Sequence, residues 1–334
     1  MDAPAVSVVL AVHNGMPFLP DAVESVLRGQ WRDLELVVVD DASTDKSSAY
    51  LRDLCDSRVH VLRQDARQGL TASLNHGLSQ ASGRWIARLD ADDAWLPERL
   101  ALQMACVADR PDVVLVGGGH AEVFGACLPD DVPHPTQLQW EEVSFDELLE
   151  RNRFCHSSAL FRTEVHGRPV RYREAFRMSQ DYDLWLRLAL CGAVLRVDAP
   201  VCLYRRRTEA LSLARAYEQV SYAYQARELA RERARRGTDR LHERGELPEV
   251  PLERNGALRR EACNMQLHFA GRSLQHGLVT VAARLAARAF AHAPVAAGRE
   301  FVLLLIGDQF ARRVRRLFGQ ESSKERHPCL PPRP

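Results

Sequence analysis

The sequence predicts an α/β protein: a doubly wound, mostly parallel sheet with helices on both faces, followed by a helical extension. Three observations predict it. Short β-branched runs alternate with segments of helical periodicity over residues 1 to about 120. Clustered carboxylates end two of those runs, at Asp40-Asp41 and at Asp90-Ala91-Asp92-Asp93. From about residue 210 the chain becomes Ala-, Arg- and Leu-rich with helical spacing. Strands and helices in alternation build parallel sheets, because a crossover helix is the short route between parallel neighbours.

Each element has its own reason. Val6 to Val12 is a nearly unbroken β-branched run, which suits a strand covered on both faces. His13-Asn14-Gly15 breaks it. Leu19, Val23, Val26 and Leu27 then recur at helical spacing, with Asp21 near the positive helix start. Leu34 to Val39 is a second buried strand, and Ser43, Thr44 or Asp45 can cap the helix that runs to about Cys55. Val59 to Leu62 is a third strand; Leu70, Leu74 and Leu78 mark a helix ending near Gly83. Residues 85–89 form the strand that delivers the acids. Trp95 onward reads as a helix, with Pro97 in its first turn and Asp93 as its cap. Val113 to Val116 is a fifth strand, closed by Gly117-Gly118-Gly119 as a strand-end turn.

Residues 120 to about 208 are less regular. Prolines 129, 133 and 135 mark a loop, Asp146 to Arg151 a short helix, and His156 to Phe161 a strand. Ser179 to Leu190 reads as a helix with Tyr182, Trp185, Leu186 and Leu190 inward, and 201–205 as a last short strand. Helices follow at about 211–236, 255–276, 278–293 and 296–318, and a disordered tail is expected over 321–334.

Composition excludes several classes. Among 334 residues, 46% are hydrophobic and 27% charged, as in ordinary soluble domains. A net charge of +1 gives no reason to expect a nucleic-acid partner. Eight cysteines show no C-x-x-C pair and no zinc spacing, so reduced thiols in a cytoplasmic protein are expected. No secretory signal is visible, and no stretch reaches the roughly 18 apolar residues of a membrane span. No G-x-G-x-x-G follows the first strand, and H-E-x-x-H and G-x-S-x-G are absent.

The acids carry the chemistry. Like charges packed this closely persist only where a cation or hydrogen bonds offset their repulsion. Parallel strands bring successive C-terminal ends to one edge, where open α/β sheets bind ligands. Asp-x-Asp suits a hard divalent ion carrying a diphosphate, and a second carboxylate can accept from a base N–H.

Four blocks together carry a resemblance. Val6-Ser-Val-Val-Leu-Ala-Val-His-Asn-Gly15 with Glu35-Leu-Val-Val-Val-Asp-Asp-Ala-Ser-Thr-Asp45 resembles the start of a family 2 glycosyltransferase of GT-A fold. Arg67-Gln-Gly-Leu70, Asn75, Ala81-Ser-Gly-Arg84 and Asp90-Ala-Asp-Asp93 resemble its middle, and Ser179-Gln-Asp-Tyr-Asp-Leu-Trp-Leu-Arg187 its acceptor-side motif. The likeness covers about residues 4–205.

The resemblance implies an inverting enzyme that moves a sugar from a nucleotide-diphosphate sugar, UDP-linked in the first instance, to a hydroxyl acceptor. Asp41 would accept from the base, with Asp40 beside it and His13, next to Asn14, where many members stack an aromatic ring. Arg67, Gly69 and Asn75 would line the donor side. Asp92 would ligate Mg²⁺ or Mn²⁺ with Asp90 in support, Asp181 would be the general base, and His156 would border the acceptor. Asp183, two residues along the helix, points away from Asp181. Implied boundaries are a glycosyltransferase domain at 1–208 (donor half 1–120, acceptor half 121–208), the helical extension at 209–320 and the tail at 321–334. Expected partners are the donor and a saccharide or lipid-linked acceptor of cell-surface polysaccharide, lipopolysaccharide or glycolipid assembly.

Leu303, Ile306, Phe310, Val314 and Leu317 share a face of the last helix, and Arg312, Arg313, Arg315 and Arg316 crowd its end. Such a helix either packs on its own bundle or lies on an anionic membrane, which would place 296–318 at the inner face of the cell membrane. Three other readings compete with the enzyme: a non-catalytic sugar-nucleotide binder, a scaffold built on the helical tail, and a metal-dependent nucleotidyltransferase.

Overall fold

The structure, a computed structural model, describes residues 3–125, 128–129, 139–206, 216–250, 256–275 and 279–292. The expected helix at 296–318, with its membrane contact, and the tail at 321–334 lie outside the described residues. So do the prolines 133 and 135.

The first half follows the alternation of its sequence. In order come β1 (Val6–Val12), α1 (Leu19–Leu27), β2 (Leu34–Asp40), α2 (Ser47–Arg52), β3 (Val59–Arg63), α3 (Leu70–Gln80) and β4 (Trp85–Arg88). Next are β5 (Ala94–Trp95), α4 (Arg99–Val107), β6 (Val113–Phe124), β7 (Trp140–Glu142) and α5 (Phe145–Glu150). A 3-10 turn at His156–Ser158 leads to β8 (Leu160–Arg162), a hairpin of β9 (Glu164–Val165) and β10 (Arg168–Pro169), α6 (Gln180–Ala189) and β11 (Ala193–Arg206). Helices α7 (Ala216–Arg236), α8 (Arg240–Arg244), α9 (Gly256–Gln275) and α10 (Val279–His292) complete the described chain.

Nine strands form one mixed sheet in the order β3-β2-β1-β4-β8-β6-β11-β5, with β7 also paired to β11. Strands β1 to β4 are mutually parallel, as are β6 and β11, whereas β8, β5 and β7 run antiparallel to their neighbours. Successive side chains alternate between faces, so β1 serves two cores. Val6, Val8, Leu10 and Val12 pack with Leu19, Val23 and Val26 of α1. Val9 and Ala11 pack with Leu74 and Leu78 of α3 and with Trp185 of α6. Each such side chain contributes about 1.5–3 kcal/mol by leaving water.

Three expectations are corrected. The glycine run does not close the fifth strand: β6 continues through it to Phe124. The Phe154 ring lies where a Cβ of Gly117 would be, Val201 Cγ2 would sit 2.5 Å from one on Gly118, and the Ala199 backbone crowds Gly119. The glycines therefore admit neighbours at close range. The segment 201–205 is the end of the 14-residue β11, which carries a register shift near Pro200. Finally, Trp95 does not open a helix. Ala94 and Trp95 pair with Leu203 and Cys202 of β11, and α4 starts only at Arg99, so Pro97 lies outside it and Asp93 caps nothing.

The chain divides into two compact units. The first holds the sheet together with Tyr222–Glu249, whose Ala226, Leu229 and Ala230 join the core that contains Trp185. In the second, Cys263 and Leu267 of α9 pack with Ala286 and Ala289 of α10. Among the described residues no helix is long and apolar enough to cross a membrane.

Gly117→Ala is expected to destabilise the protein by about 1–3 kcal/mol, because the added methyl meets the buried Phe154 ring. A lower urea midpoint at unchanged slope would show it; an unchanged midpoint would mean that Phe154 moves aside freely.

Candidate active site

The C-terminal ends of β1, β2 and β4 form one edge, since Val12 is level with Asp40 and the Leu89 amide donates to Val9 O. Two loops leave this edge side by side. Asn14 Oδ1 accepts from the amides of Thr44 and Asp45, while Asn14 N–H donates to Ser43 Oγ and Gly15 N–H to Ser47 Oγ. Asn14 therefore stitches the loops together at the surface. Asp40 Oδ1 accepts from Ser43 N–H and its Oδ2 from Ser48 Oγ, so it is a buried brace.

Asp41 is different. Its two oxygens accept from consecutive amides, Gln68 N at 2.6 Å and Gly69 N at 2.9 Å. Gly69, at φ 93°, adopts a backbone that only glycine takes without strain, and it opens α3. His13 Nδ1–H donates to the Asp41 carbonyl at 2.7 Å, which fixes the ring beside that carboxylate. Arg67 is exposed on the same segment. Asn75, by contrast, has both amide groups on the Tyr172 backbone, at 2.9 Å each. It tethers α3 to the chain before α6.

The acid turn is gripped from two sides. Arg88 is fully buried; its guanidinium donates to Leu89 O and pairs with Asp90, and Nε donates to His156 Nε2 at 3.2 Å. Ser157 Oγ donates to Asp93 and sits 3.2 Å from Asp90 Oδ2. From the other side Arg205 holds Asp93 Oδ1 through its amide at 2.8 Å and the Asp92 carbonyl through Nε at 2.9 Å. A second buried guanidinium, Arg99, braces the carbonyls of Arg88, Ser157 and Ala159. Burial pushes it down to about 9, still charged at neutral pH.

These contacts separate the three carboxylates. Burial works to raise Asp90, but Arg88 and then His156 and Ser157 hold it below the usual range. Asp93 is pushed well up, first by burial and then by Asp90 and Asp92 beside it. Asp92 remains half-buried at the mouth of the turn. Among the described residues, no three His, Cys, Asp or Glu side chains are disposed to hold a metal by themselves.

Asp181 lies in the first turn of α6. Burial pushes it up to about 6, and Asp90 adds to the effect from across the site. Asn152 Nδ2 donates to its Oδ2 at 3.3 Å. Tyr172 is buried; its hydroxyl lies 2.8 Å from His156 Nε2, and burial raises its pKa, with Asp181 and Asp90 adding to the effect. His156 itself is driven down to about 3 by burial and by Arg88, so it is neutral and accepts hydrogen bonds through Nε2. Asp183 faces away, buried between Arg173 and Arg187 (3.0 Å to the latter), while Arg173 also pairs with Asp239.

The structure thus assembles two neighbourhoods on one edge: Asp41, His13 and Gly69 at one end, and Asp90, His156 and Asp181 at the other. Sequence reading missed Arg88, Arg205, Ser157 and Tyr172. A signal existed for Arg88, which ends an otherwise apolar strand, since a buried cation requires a partner.

A model of the family described as glycosyl transferase family 2 matches residues 7–165. TuaG of Bacillus subtilis (strain 168), named for teichuronic acid biosynthesis, is 34% identical over 192 residues, which are 57% of this chain and 73% of that protein. The chain spans 58% to 66% of the length of other curated relatives that it matches. Two solved structures share the fold. TarS 1–349 of S. aureus in complex with UDP-GlcNAc superposes at TM-score 0.53 with 16% identity, covering 84% of this chain and 90% of that one. The mannosyltransferase PcManGT of Pyrobaculum calidifontis, in complex with GDP-Man and Mn²⁺, gives 0.53 with 20% identity, covering 95% and 83%.

Asp183→Asn is expected to lower stability by about 3 kcal/mol, because it leaves Arg173 and Arg187 facing each other without their shared carboxylate. Denaturant titration reads this directly; a variant as stable as the parent would remove the pair as a support for α6.

Proposed function

The chain belongs to glycosyl transferase family 2, and from that premise we propose that it transfers a sugar from a nucleotide-diphosphate sugar to an acceptor hydroxyl with inversion at the anomeric carbon. The observation that carries this reading is the pairing of unlike carboxylates on one edge. Asp90 is held ionised by Arg88, while Asp181, within its field, is raised to about 6. Unlike environments for two neighbouring acids are how one site supports both charge binding and proton transfer.

The donor occupies the edge from Asp41 to the acid turn. Asp41 has two oxygens fixed by backbone amides and lone pairs to spare for a base N–H. His13, held flat by its bond to the Asp41 carbonyl, offers a ring face to the base. A uridine fits this arrangement, and TarS, which shares the fold, binds UDP-GlcNAc.

The acid turn fits a divalent ion in a particular way. Burial raises Asp93, and Asp90 and Asp92 beside it add to the effect, a crowding of like charges that a cation relieves. In this reading Asp92 ligates the ion, with Asp90 in support. Such a short protein set suits Mg²⁺ or Mn²⁺, which keep waters and complete their shell with substrate phosphates. When bound there, the ion supplies charge neutralisation to the diphosphate leaving group.

The remaining chemistry belongs to the chain. Asp181 takes the proton of the acceptor hydroxyl as the new bond to carbon forms. His156 and Tyr172 shape the floor between the two acids, where the sugar and acceptor meet. The acceptor is a saccharide or lipid-linked saccharide of a cell-surface polymer, in line with the teichuronic acid pathway for which TuaG is named. The work is done on the cytoplasmic side, where nucleotide-sugars are made.

Asp181→Asn is expected to keep donor binding and lose transfer, by about a hundredfold or more. In the parent enzyme the base must be ionised, so kcat/KM should rise with pH through about 6 and then level. A flat profile from pH about 5 to 8 would remove Asp181 as base. Asp92→Ala should abolish the increase in melting temperature that UDP gives in the presence of Mn²⁺. An equal shift with and without the ion in the parent chain would exclude the metal role.

A further inference from the structure

Cys155 and Cys202 have no part in the chemistry above, yet their sulfurs lie 3.5 Å apart. Cys155 leads directly into the 3-10 turn that carries His156 and Ser157, and Cys202 is the β11 residue paired with Trp95. Cys202 is fully buried, whereas Cys155 is partly open to solvent. The His120 side chain hydrogen-bonds to Cys155, and the buried Arg99 cation acts on both sulfurs. Two thiols, an imidazole and a guanidinium therefore share one place, reachable through Cys155.

We propose that Cys155 and Cys202 form an oxidisable dithiol, a modification site for small hydroperoxides that sits directly under the acid turn. The chemistry distinguishes the two sulfurs. Hydrogen bonds from Cys202 and from His120 hold Cys155 well below the usual thiol range, and the same contact pushes Cys202 well above it. Cys155 is then the thiolate, the form that attacks peroxides. Its sulfur attacks one oxygen of hydrogen peroxide, the O–O bond breaks, and hydroxide leaves; Cys155 becomes a sulfenic acid. The Cys202 sulfur displaces that hydroxyl, losing its own proton, and the S–S bond forms with release of water. The thiols lose two electrons and one peroxide is reduced.

Closure has a consequence for the site. A disulfide brings its sulfurs to about 2.05 Å, so the pair must draw together by roughly 1.5 Å. The chain that moves ends at His156 and Ser157, which hold Arg88, Asp90 and Asp93. Oxidation therefore disturbs the acid turn through its Ser157 hinge. This second statement rests on the donor site proposed above; the dithiol itself does not.

The reduced full chain would be treated with limiting hydrogen peroxide, its remaining thiols alkylated, and its peptides mapped by mass spectrometry. A Cys155–Cys202 cross-link should form at least about tenfold faster than the exposed Cys55 and Cys191 oxidise, and dithiothreitol should reverse it. Cys202→Ser should trap the Cys155 sulfenic acid for capture by dimedone, and Cys155→Ser should leave Cys202 reduced; circular dichroism checks that each variant is folded. Recovery of both residues as alkylated thiols after Cys55 and Cys191 have oxidised would overturn the proposal. Cross-linked protein should lose UDP binding and regain it with dithiothreitol. Unchanged UDP binding after cross-linking would overturn the link to the acid turn. Mapping uses no donor, so failure of the reduced chain to bind UDP counts against the glycosyltransferase reading alone.

Discussion

The buried guanidinium of Arg88 is the constraint on which the site depends. A cation without solvent costs several kcal/mol unless it is paired, and here its partners are Val9 O, Leu89 O, Asp90 and His156. That charge holds Asp90 below the usual carboxylate range and adds to the burial that drives His156 down. The guanidinium groups of Arg99 and Arg205 extend the same principle to the carbonyls of Arg88 and Asp92. The acid turn is thus a rigid object before any ligand arrives, and rigid placement of charge is what a transition state with a departing diphosphate requires.

Rigidity at the edge is accompanied by stored backbone strain. Asn14, Ala42 and Ser179 all adopt left-handed conformations, at φ 56°, 54° and 55°. Each costs on the order of 1 kcal/mol or more for a residue with a Cβ, and such residues concentrate where function dictates geometry. Asn14 and Ala42 lie in the two stitched loops at the Asp41 end, and Ser179 precedes the helix of Asp181. Hydrogen bonds from Asn14 and Ser43 offset the cost locally.

Asp181 is placed by contacts far along the chain. Its helix is fixed through Asp183, which pairs with Arg173 and Arg187; Arg173 in turn pairs with Asp239, and Arg233 reaches the same carboxylate. Tyr222–Glu249 therefore serve the sheet domain, although they lie in the part of the sequence that looks like an independent helical extension. That continuity explains why the Asp181 end of the site draws on residues well past α6.

The sequence by itself determined the alternation of β1 to β4 with their helices, because periodicity and β-branching are local properties that each segment expresses alone. It also placed Asp41, the acid cluster and Asp181, since strand ends and a helix start are visible as breaks in pattern. Tertiary structure alone decided the rest. Whether Gly117 to Gly119 turn or extend depends on Phe154 and Val201, which are distant in sequence. That Asn75 is a tether, that Trp95 joins a strand and that Arg88 is buried likewise depend on partners brought in from residues 156 to 205. Hydrogen bonding and burial are relations between segments, so no single stretch of sequence carries them.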